Sequence, residues 1–311
     1  MYRMIQLESL MPETLPGVPL FILHGKRHVM YKDSALPFTE YDKNRLLGNN
    51  VKVLFVRSGD MATYNQYVES NLPEMLSDGN LEPLERQKIL YQASVNYVHE
   101  VFDQPAIAMK EGFERCKQLM QNILKDILNA NGVMTALGGL VDHSSYTYVH
   151  SVHVATYSVA LHMKICKHLE HDELVDVGIG SLFHDYGKVY TPKALLDKPG
   201  KLTAAEFEEL KQHPVYGYLA LKDLGIFSPV SLSIVKHHHE KENGKGYPYG
   251  LAGCDIARSS KITAIADVFS ALTTNRSYRK ALPREEAMEI MFGEMDGSFD
   301  LNYMEALKEL Y

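Results

Sequence analysis

The strongest constraint on the fold of this 311-residue chain is a helical apolar repeat through its second half. Apolar residues recur there at intervals of three and four over six segments, at 149–165, 174–183, 204–224, 229–238, 259–274 and 285–293. This spacing puts the apolar side chains of each segment on one helical face, which has to be buried against other helices. We therefore predict an all-α bundle over residues 140–311.

The first 78 residues carry a different pattern. VPLFIL at 18–23 and HVMY at 28–31 flank a short polar turn, and VKVLFV at 51–56 reads as a third strand. Apolar residues at helical spacing follow from Met61 to Leu72. These patterns predict a small α+β module over 1–78, with a regulatory or partner-binding role, and a helical linker over 79–139. The chain as a whole is predicted to be mainly α.

One helix of the linker has a regular apolar seam. Met109, Phe113, Cys116, Met120 and Ile123 recur at alternating intervals of four and three, which is the a/d pattern of helices that pack side by side. Two interpretations remain open from the sequence. The seam packs inside its own chain, or it forms a homodimer through the 105–131 helix.

Composition excludes several classes of protein. A formal net charge of −7 argues against a polynucleotide partner, because such binding depends on many lysines and arginines. The three cysteines form no CxxC pair, so neither a disulfide framework nor a thiolate zinc site is indicated. No apolar run approaches the roughly 18 residues of a membrane span, which predicts no membrane insertion. We expect a cytoplasmic location.

Histidines and aspartates in the second half form a candidate metal site. Of the fourteen histidines, eleven fall between residues 143 and 239. The metal-competent side chains fall on several different predicted helices: His150, His153, His184, Asp185, His213, His237, His238, His239 and Asp267. Their nitrogen and oxygen donors suit Fe, Mn, Zn or Ni. An isolated aspartate in an apolar helix, as at Asp267, is costly unless it is paired or coordinating. We therefore predict a polynuclear metal site inside the bundle.

Residues 140–282 resemble the HD-GYP family of the HD phosphohydrolase superfamily. The resemblance is carried by ordered motifs: HSVHVATYS (150–158), HDYGK (184–188), KQHPVYG (211–217), HHEKENGKGYP (238–248), KITAIADVFSALT (261–273) and RSYRKA (276–281). Members of that family hydrolyse cyclic di-GMP to pGpG and GMP at a di- or trinuclear centre that often contains iron. The resemblance implies a metal-dependent cyclic di-GMP phosphodiesterase. The alternatives are a weakly active effector that binds cyclic di-GMP, and a phosphohydrolase of another nucleotide.

The resemblance also implies roles for individual residues. The implied metal ligands are His150, His184, Asp185, His213, His238, His239 and Asp267. Asp185 would bridge the ions, although three consecutive histidines leave the register of the pair His238–His239 open. The implied cofactor is two divalent ions, with iron first and Mn, Zn or Ni as alternatives. Tyr146 stands where some members carry a glutamate for a third metal, which favours two ions.

Four residues are implied to contact the substrate. Lys188 would face the scissile phosphate as a catalytic stabiliser. Arg276 and Arg279 would grip phosphate oxygens from the helical segment that carries Asp267. Tyr247 would contact a base or a phosphate from the wall of the pocket. Asn243 replaces a common aspartate of the family, and this departure motivates the effector alternative.

Overall fold

The computed structural model describes residues 1–79, 81–103, 106–129, 146–166, 168, 170–196, 198, 200–275 and 279–310. The chain divides into two compact units, Met1–Glu100 and Val101–Tyr311. The predicted borders at 78 and 139 stay a prediction. Among the helices in the described ranges, none combines the length and apolar character that a membrane span requires.

A four-stranded antiparallel sheet forms the centre of the first unit. Its strands are β1 (Tyr2–Gln6), β2 (Leu20–His24), β3 (Arg27–Lys32) and β4 (Val53–Arg57), in the order β1-β4-β2-β3. The predicted β2–β3 hairpin and the predicted strand at β4 are confirmed. Sequence analysis missed β1. This short edge strand buries only Ile5, so it has little of the apolar alternation that marks a strand.

Three helices belong to this part of the chain: α1 (Glu40–Gly48), α2 (Met61–Ser77) and α3 (Pro83–Phe102). The helix predicted from Met61 is confirmed as α2, which packs on β4 and buries Val68 and Leu72. Helix α1 was not predicted from apolar spacing. Its signal was the capping box in which Thr39 and Asp42 each accept a hydrogen bond from the backbone of the other.

The described part of the second unit is helical, which confirms the predicted fold class. Its helices are α4 (Ala106–Asn129), α5 (Tyr146–Ile165), α6 (His171–Leu182), α7 (Lys193–Leu196), α8 (Ala204–Leu210), α9 (His213–Leu224), α10 (Pro229–His237), α11 (Arg258–Thr273), α12 (Arg284–Gly293) and α13 (Leu301–Lys308). Helix α5 packs between α6 and α11, and α10 packs on α6, α9 and α11. These five helices surround the predicted metal site.

The seam of α4 packs inside the same unit. Phe113 and Met120 are buried, and α4 contacts α6 and α9. The Phe113 ring meets the Phe227 ring edge-on, with 5.1 Å between their centres. The structure therefore favours the first interpretation of the seam, because the side chains that motivated a dimer already have partners within the chain. The homodimer through the 105–131 helix stays a prediction.

Candidate metal centre

Three of the predicted ligands are oriented by the carbonyls of helix ends. The last four carbonyls of a helix have no partner within the helix and remain free to accept hydrogen bonds. His184 Nδ1 lies 2.7 Å from the carbonyl oxygen of Ser181 at the end of α6. His213 and His238 repeat the arrangement, three residues after the carbonyls of Leu210 and Val235. A carbonyl can only accept, so each Nδ1 carries a hydrogen, and in the neutral ring each Nε2 is left as an acceptor.

A fourth histidine comes from the middle of the bundle. His150 on α5 is buried, and its Nδ1 lies 2.9 Å from the Ser270 hydroxyl on α11. Its Nε2 lies 3.0 Å from Oδ1 of Asp267, one turn before Ser270 on the same helix. Helix α11 therefore supplies both the carboxylate and the hydroxyl that fixes the imidazole facing it. This is the usual arrangement around a ligating histidine.

The structure brings all seven predicted ligands together. Their donor atoms form two groups, in each of which the atoms all lie within 4.8 Å of one another. The first group is Asp185, His213, His238 and His239, and the second is His150, His184 and Asp267. Within the described residues, neither group includes His153 or His237. His153 Nδ1 is 3.2 Å from the Thr274 hydroxyl, and His237 Nδ1 is 3.4 Å from the Ser233 hydroxyl.

Asp185 belongs to the first group and borders the second. Its Oδ1 lies 3.2 Å from His213 Nε2 and 4.0 Å from His238 Nε2. Its Oδ2 lies 3.4 Å from His184 Nε2, which is in the second group. One oxygen therefore faces each group, as expected of a carboxylate that bridges two ions.

Asp267 has the converse arrangement. Its Oδ1 lies 3.0 Å from His150 Nε2 and 3.9 Å from His184 Nε2, both in its own group. Its Oδ2 lies 3.7 Å from His239 Nδ1 in the first group. The two groups therefore adjoin along two carboxylates, a feature that sequence analysis predicted only for Asp185.

Burial sets the protonation of most of these histidines. It lowers the pKa of His150 and His238, and it lowers the pKa of His239 to about 3. These three rings are therefore neutral at pH 7. His184 is the exception. Burial opposes its protonation, but the carboxylates of Asp185 and Asp267 outweigh that effect and raise its pKa. The position of His184 thus favours a positive charge, whether a proton or a metal ion supplies it.

The two carboxylates are ionised although they are buried. Burial alone would raise both pKa values. Lys188 and His184 hold the pKa of Asp185 well below its usual range, and His150 and His184 lower the pKa of Asp267. Ionised carboxylates and neutral imidazoles are the forms that bind metals.

Unpaired polar atoms show that the site fits metal ions. His184 Nε2 and Asp185 Oδ1 are buried without a hydrogen-bond partner among the described residues. Nε2 of His213 and Nε2 of His238 lie 3.3 Å apart, although both hydrogens are on the opposite nitrogens. Two lone pairs that face each other at this distance repel, and a cation bound by both nitrogens would remove the repulsion. The nitrogen and oxygen donors suit Fe, Mn, Zn or Ni.

Lys188 and Tyr247 lie beside the donor groups. Lys188 is on the short 3-10 turn Tyr186–Tyr190, and its Nζ is 2.5 Å from Asp185 Oδ2. The Tyr247 ring centre is 4.5 Å from that of His239. Burial and the nearby Asp267 raise the pKa of Tyr247, so its hydroxyl is protonated at neutral pH. Both side chains therefore adjoin the donor groups, and their contact with a substrate stays a prediction.

The predicted placement of Arg279 is wrong. Helix α11 ends at Thr273, so Arg279 is not on the helical segment of Asp267. Its Nη2 instead donates to the carbonyl oxygens of Ala271 at 2.6 Å and Leu272 at 3.2 Å, which satisfies the free carbonyls at the helix end. A grip on phosphate by Arg279 stays a prediction. Arg276 lies outside the described residues, and so does the side chain of Tyr146.

Sequence analysis missed two residues that shape the site. The buried Glu240 carboxylate accepts hydrogen bonds from the amides of Tyr249 at 2.8 Å and Leu251 at 2.9 Å, and so holds the loop after Tyr247. Gly187 lets the turn after Asp185 approach the start of α9, where a Cβ would lie 1.8 Å from the His213 carbonyl oxygen. The sequence contains a signal for each residue: Glu240 directly follows two predicted ligands, and Gly187 directly precedes Lys188.

The helical bundle thus gathers seven histidine and aspartate side chains into two adjoining groups that could hold metal ions, an arrangement known from helical bundles that bind metals. The comparison with protein families identifies the family. The family model described as HD domain matches residues 118–302, more than half of the chain. The chain belongs to the HD domain family, and its resemblance to the HD-GYP branch is confirmed.

Individual relatives agree with this assignment. Cyclic di-GMP phosphodiesterase PA4108 of Pseudomonas aeruginosa is 37% identical over 184 residues, covering 58% of this chain and 43% of that protein. The 3'3'-cGAMP-specific phosphodiesterase 3 of Vibrio cholerae is 35% identical over 178 residues, covering 57% and 38%. The chain thus spans less than half of the length of either relative.

A solved structure shares the fold. Bd1817, an HDG"Y"P protein from Bdellovibrio bacteriovorus, aligns with 100% of this chain and 99% of its own, with a TM-score of 0.70. At 20% sequence identity the similarity concerns the fold alone.

Proposed function

We propose that this chain is a metal-dependent phosphodiesterase that hydrolyses a cyclic dinucleotide, with cyclic di-GMP as the first candidate substrate. The observation that carries the proposal is the pair of adjoining donor groups, in which Asp185 and Asp267 each turn one oxygen to either group. Relatives named for hydrolysis of cyclic di-GMP and of 3'3'-cGAMP support the substrate class. The cytoplasmic location and a protein partner for the Met1–Glu100 unit remain predictions.

The proposed cofactor is a pair of divalent ions, with iron first and Mn, Zn or Ni as alternatives. The first donor group would hold one ion, the second group would hold the other, and Asp185 would bridge them. When bound, such a pair neutralises the charge of a phosphoryl group and activates a water for in-line displacement.

The chain itself supplies the remaining groups. Lys188 is a cation at the edge of the site, partly exposed and 2.5 Å from Asp185, from where its ammonium would stabilise negative charge on the phosphate. The protonated Tyr247 hydroxyl would donate a hydrogen bond from the pocket wall. Hydrogen bonds behind His150, His184, His213 and His238 hold the imidazoles in place, so little reorganisation is needed when the substrate binds.

The test is turnover of cyclic di-GMP by the full, metal-loaded chain, with pGpG and GMP separated by chromatography. We expect pGpG to form, and we expect Lys188→Met to lower kcat by roughly 10²–10³-fold, as for loss of one oxyanion-stabilising group. Lys308→Met, an exposed change on α13, is the matched control and should leave turnover unchanged. Wild-type protein that binds cyclic di-GMP and releases no pGpG would contradict the proposal and support the effector alternative. Parallel assays with 3'3'-cGAMP and a linear dinucleotide define the substrate.

A further inference from the structure

An aromatic wall leads away from the donor groups to the surface. The Tyr247 ring lies 4.5 Å from the His239 ring, and the next ring in line is that of Phe207, 6.4 Å from Tyr247 at an angle of 76°. The Phe207 side chain is 46% exposed. An isolated exposed phenylalanine needs no explanation. Phe207 differs because one ring alone separates it from a candidate metal ligand.

Phe207 is held on an anchored helix. Thr203 and Glu206 form a capping box at the start of α8, where each side chain accepts a hydrogen bond from the backbone of the other. Lys198 adds an ion pair to Glu206 at 2.5 Å. Phe207 follows Glu206 directly, so its backbone is fixed before any ligand arrives. A side chain on an anchored backbone has less conformational freedom to lose on binding.

A cation accompanies the two rings. Lys211 Nζ lies 5.3 Å from the centre of the Phe207 ring and 6.0 Å from the centre of the Tyr247 ring. An ion pair with Glu208 at 2.6 Å holds it in position. Aromatic rings with an adjacent positive charge are the combination that binds nucleic-acid bases by stacking and their phosphates by charge. The wall therefore suits a ligand that carries both a base and a phosphate.

We propose that Phe207 is a stacking platform for one nucleobase of the substrate while a phosphate of the same molecule faces the donor groups and the ions that they would hold. This inference rests on the proposed function and deepens it, because it explains why the site would prefer phosphodiesters that carry bases. Phe207 contributes to binding and takes no part in the chemical step. The expected effect of its removal is therefore on KM and not on kcat.

The test compares the variants Phe207→Ala, Phe207→Leu and Phe207→Tyr in the full, metal-loaded chain. We expect KM for cyclic di-GMP to rise roughly 5- to 160-fold in the alanine variant, the range for losing one base–aromatic contact, with kcat unchanged. The leucine variant keeps an apolar side chain without a π face and should resemble alanine. The tyrosine variant keeps the ring and should retain the wild-type KM. Leu301→Ala, which truncates an exposed side chain on α13, is the matched control.

Calorimetric titration of the full, metal-loaded protein with a phosphorothioate analogue of cyclic di-GMP that resists hydrolysis gives a second measure that does not depend on turnover. The inference predicts the same order of Kd as of KM across the variants. A Phe207→Ala protein with the KM and Kd of the Leu301→Ala control would overturn it, while the proposed hydrolysis would still stand. Wild-type protein that binds without hydrolysis would refute the proposed function alone, and Kd would then decide the role of Phe207. Wild-type protein that neither binds nor hydrolyses cyclic di-GMP would refute both.

Discussion

Gly187 lies where the turn after Asp185 meets the start of α9. A Cβ on residue 187 would lie 1.8 Å from the carbonyl oxygen of His213 and 2.6 Å from the amide nitrogen of Gly217. Both atoms belong to the backbone, so no change of side-chain rotamer relieves the overlap. We predict that Gly187→Ala separates the turn from α9, and with it Asp185 from His213, whose facing atoms are 3.2 Å apart.

The magnitude follows from the size of the overlap. Real Cβ atoms essentially never approach another heavy atom closer than 3.0 Å, so a contact of 1.8 Å requires the backbone to retreat by more than 1 Å. Overpacking of this kind costs about 1–3 kcal/mol of unfolding free energy, which lowers the Tm of a unit of this size by about 2–12 °C. A displacement of ~1 Å within a reactive site also costs on the order of 10²-fold in rate.

Calorimetric Tm, bound metal per chain and cyclic di-GMP turnover are measured on the same preparations. Gly293→Ala is the matched control, since its Cβ at the end of α12 would meet no atom within 4 Å. Alanine is also the better helix former by about 1 kcal/mol, so the control should be neutral or stabilised. A Gly187→Ala protein with wild-type Tm and full metal content would show that the close approach is not needed to build the site.

Three further predictions concern stability. Glu240→Gln leaves one of the two loop amides unpaired, because the glutamine side chain has a single acceptor oxygen. We expect it to lower the free energy of unfolding in urea by about 1–3 kcal/mol. Glu294→Gln, at an exposed position, is the control and should leave it unchanged. Burial lowers the pKa of His153 to about 3 and of His162 to about 4, below their ~6.5 in the unfolded chain. The unfolded state therefore takes up these protons first. Stability should fall as the pH drops below about 6.5, by about 2 kcal/mol per histidine at pH 5, and His162→Gln should flatten that slope in urea titrations. Chelation should lower Tm, because it removes the stabilisation that each bound ion contributes, about 2.7 kcal/mol when the free ion is at 100 times its Kd.

The candidate metal ligands were easier to predict from the sequence than the residues that surround them. Helical spacing put His150 and Asp267 inside the bundle, and the cost of burying an isolated aspartate identified Asp267 as a candidate ligand. Local sequence also explains in part why His184, His213 and His238 face inward. Each follows a helix-end carbonyl by three residues, a spacing set by local geometry.

Features that depend on contacts distant in sequence were not predictable. Gly187 is required because of α9, some 26 residues later, and Glu240 is buried because a loop folds back over it. The same limitation explains the error at Arg279. The resemblance placed Arg279 on the helical segment of Asp267, but the carbonyls that Arg279 caps are those of a helix that has already ended. Strand β1 was missed because it buries only Ile5, so its sequence lacks the apolar alternation that marks a strand.

The central claim is that the two donor groups hold two ions. The most direct measurement is the number of metal ions per chain in freshly purified protein, from elemental mass spectrometry and the protein concentration. Two ions per chain are predicted, with iron as the first candidate, because Asp185 and Asp267 each face both groups. Protein that carries one ion or none, and that takes up no second ion on anaerobic loading with ferrous iron or manganese, would contradict the account.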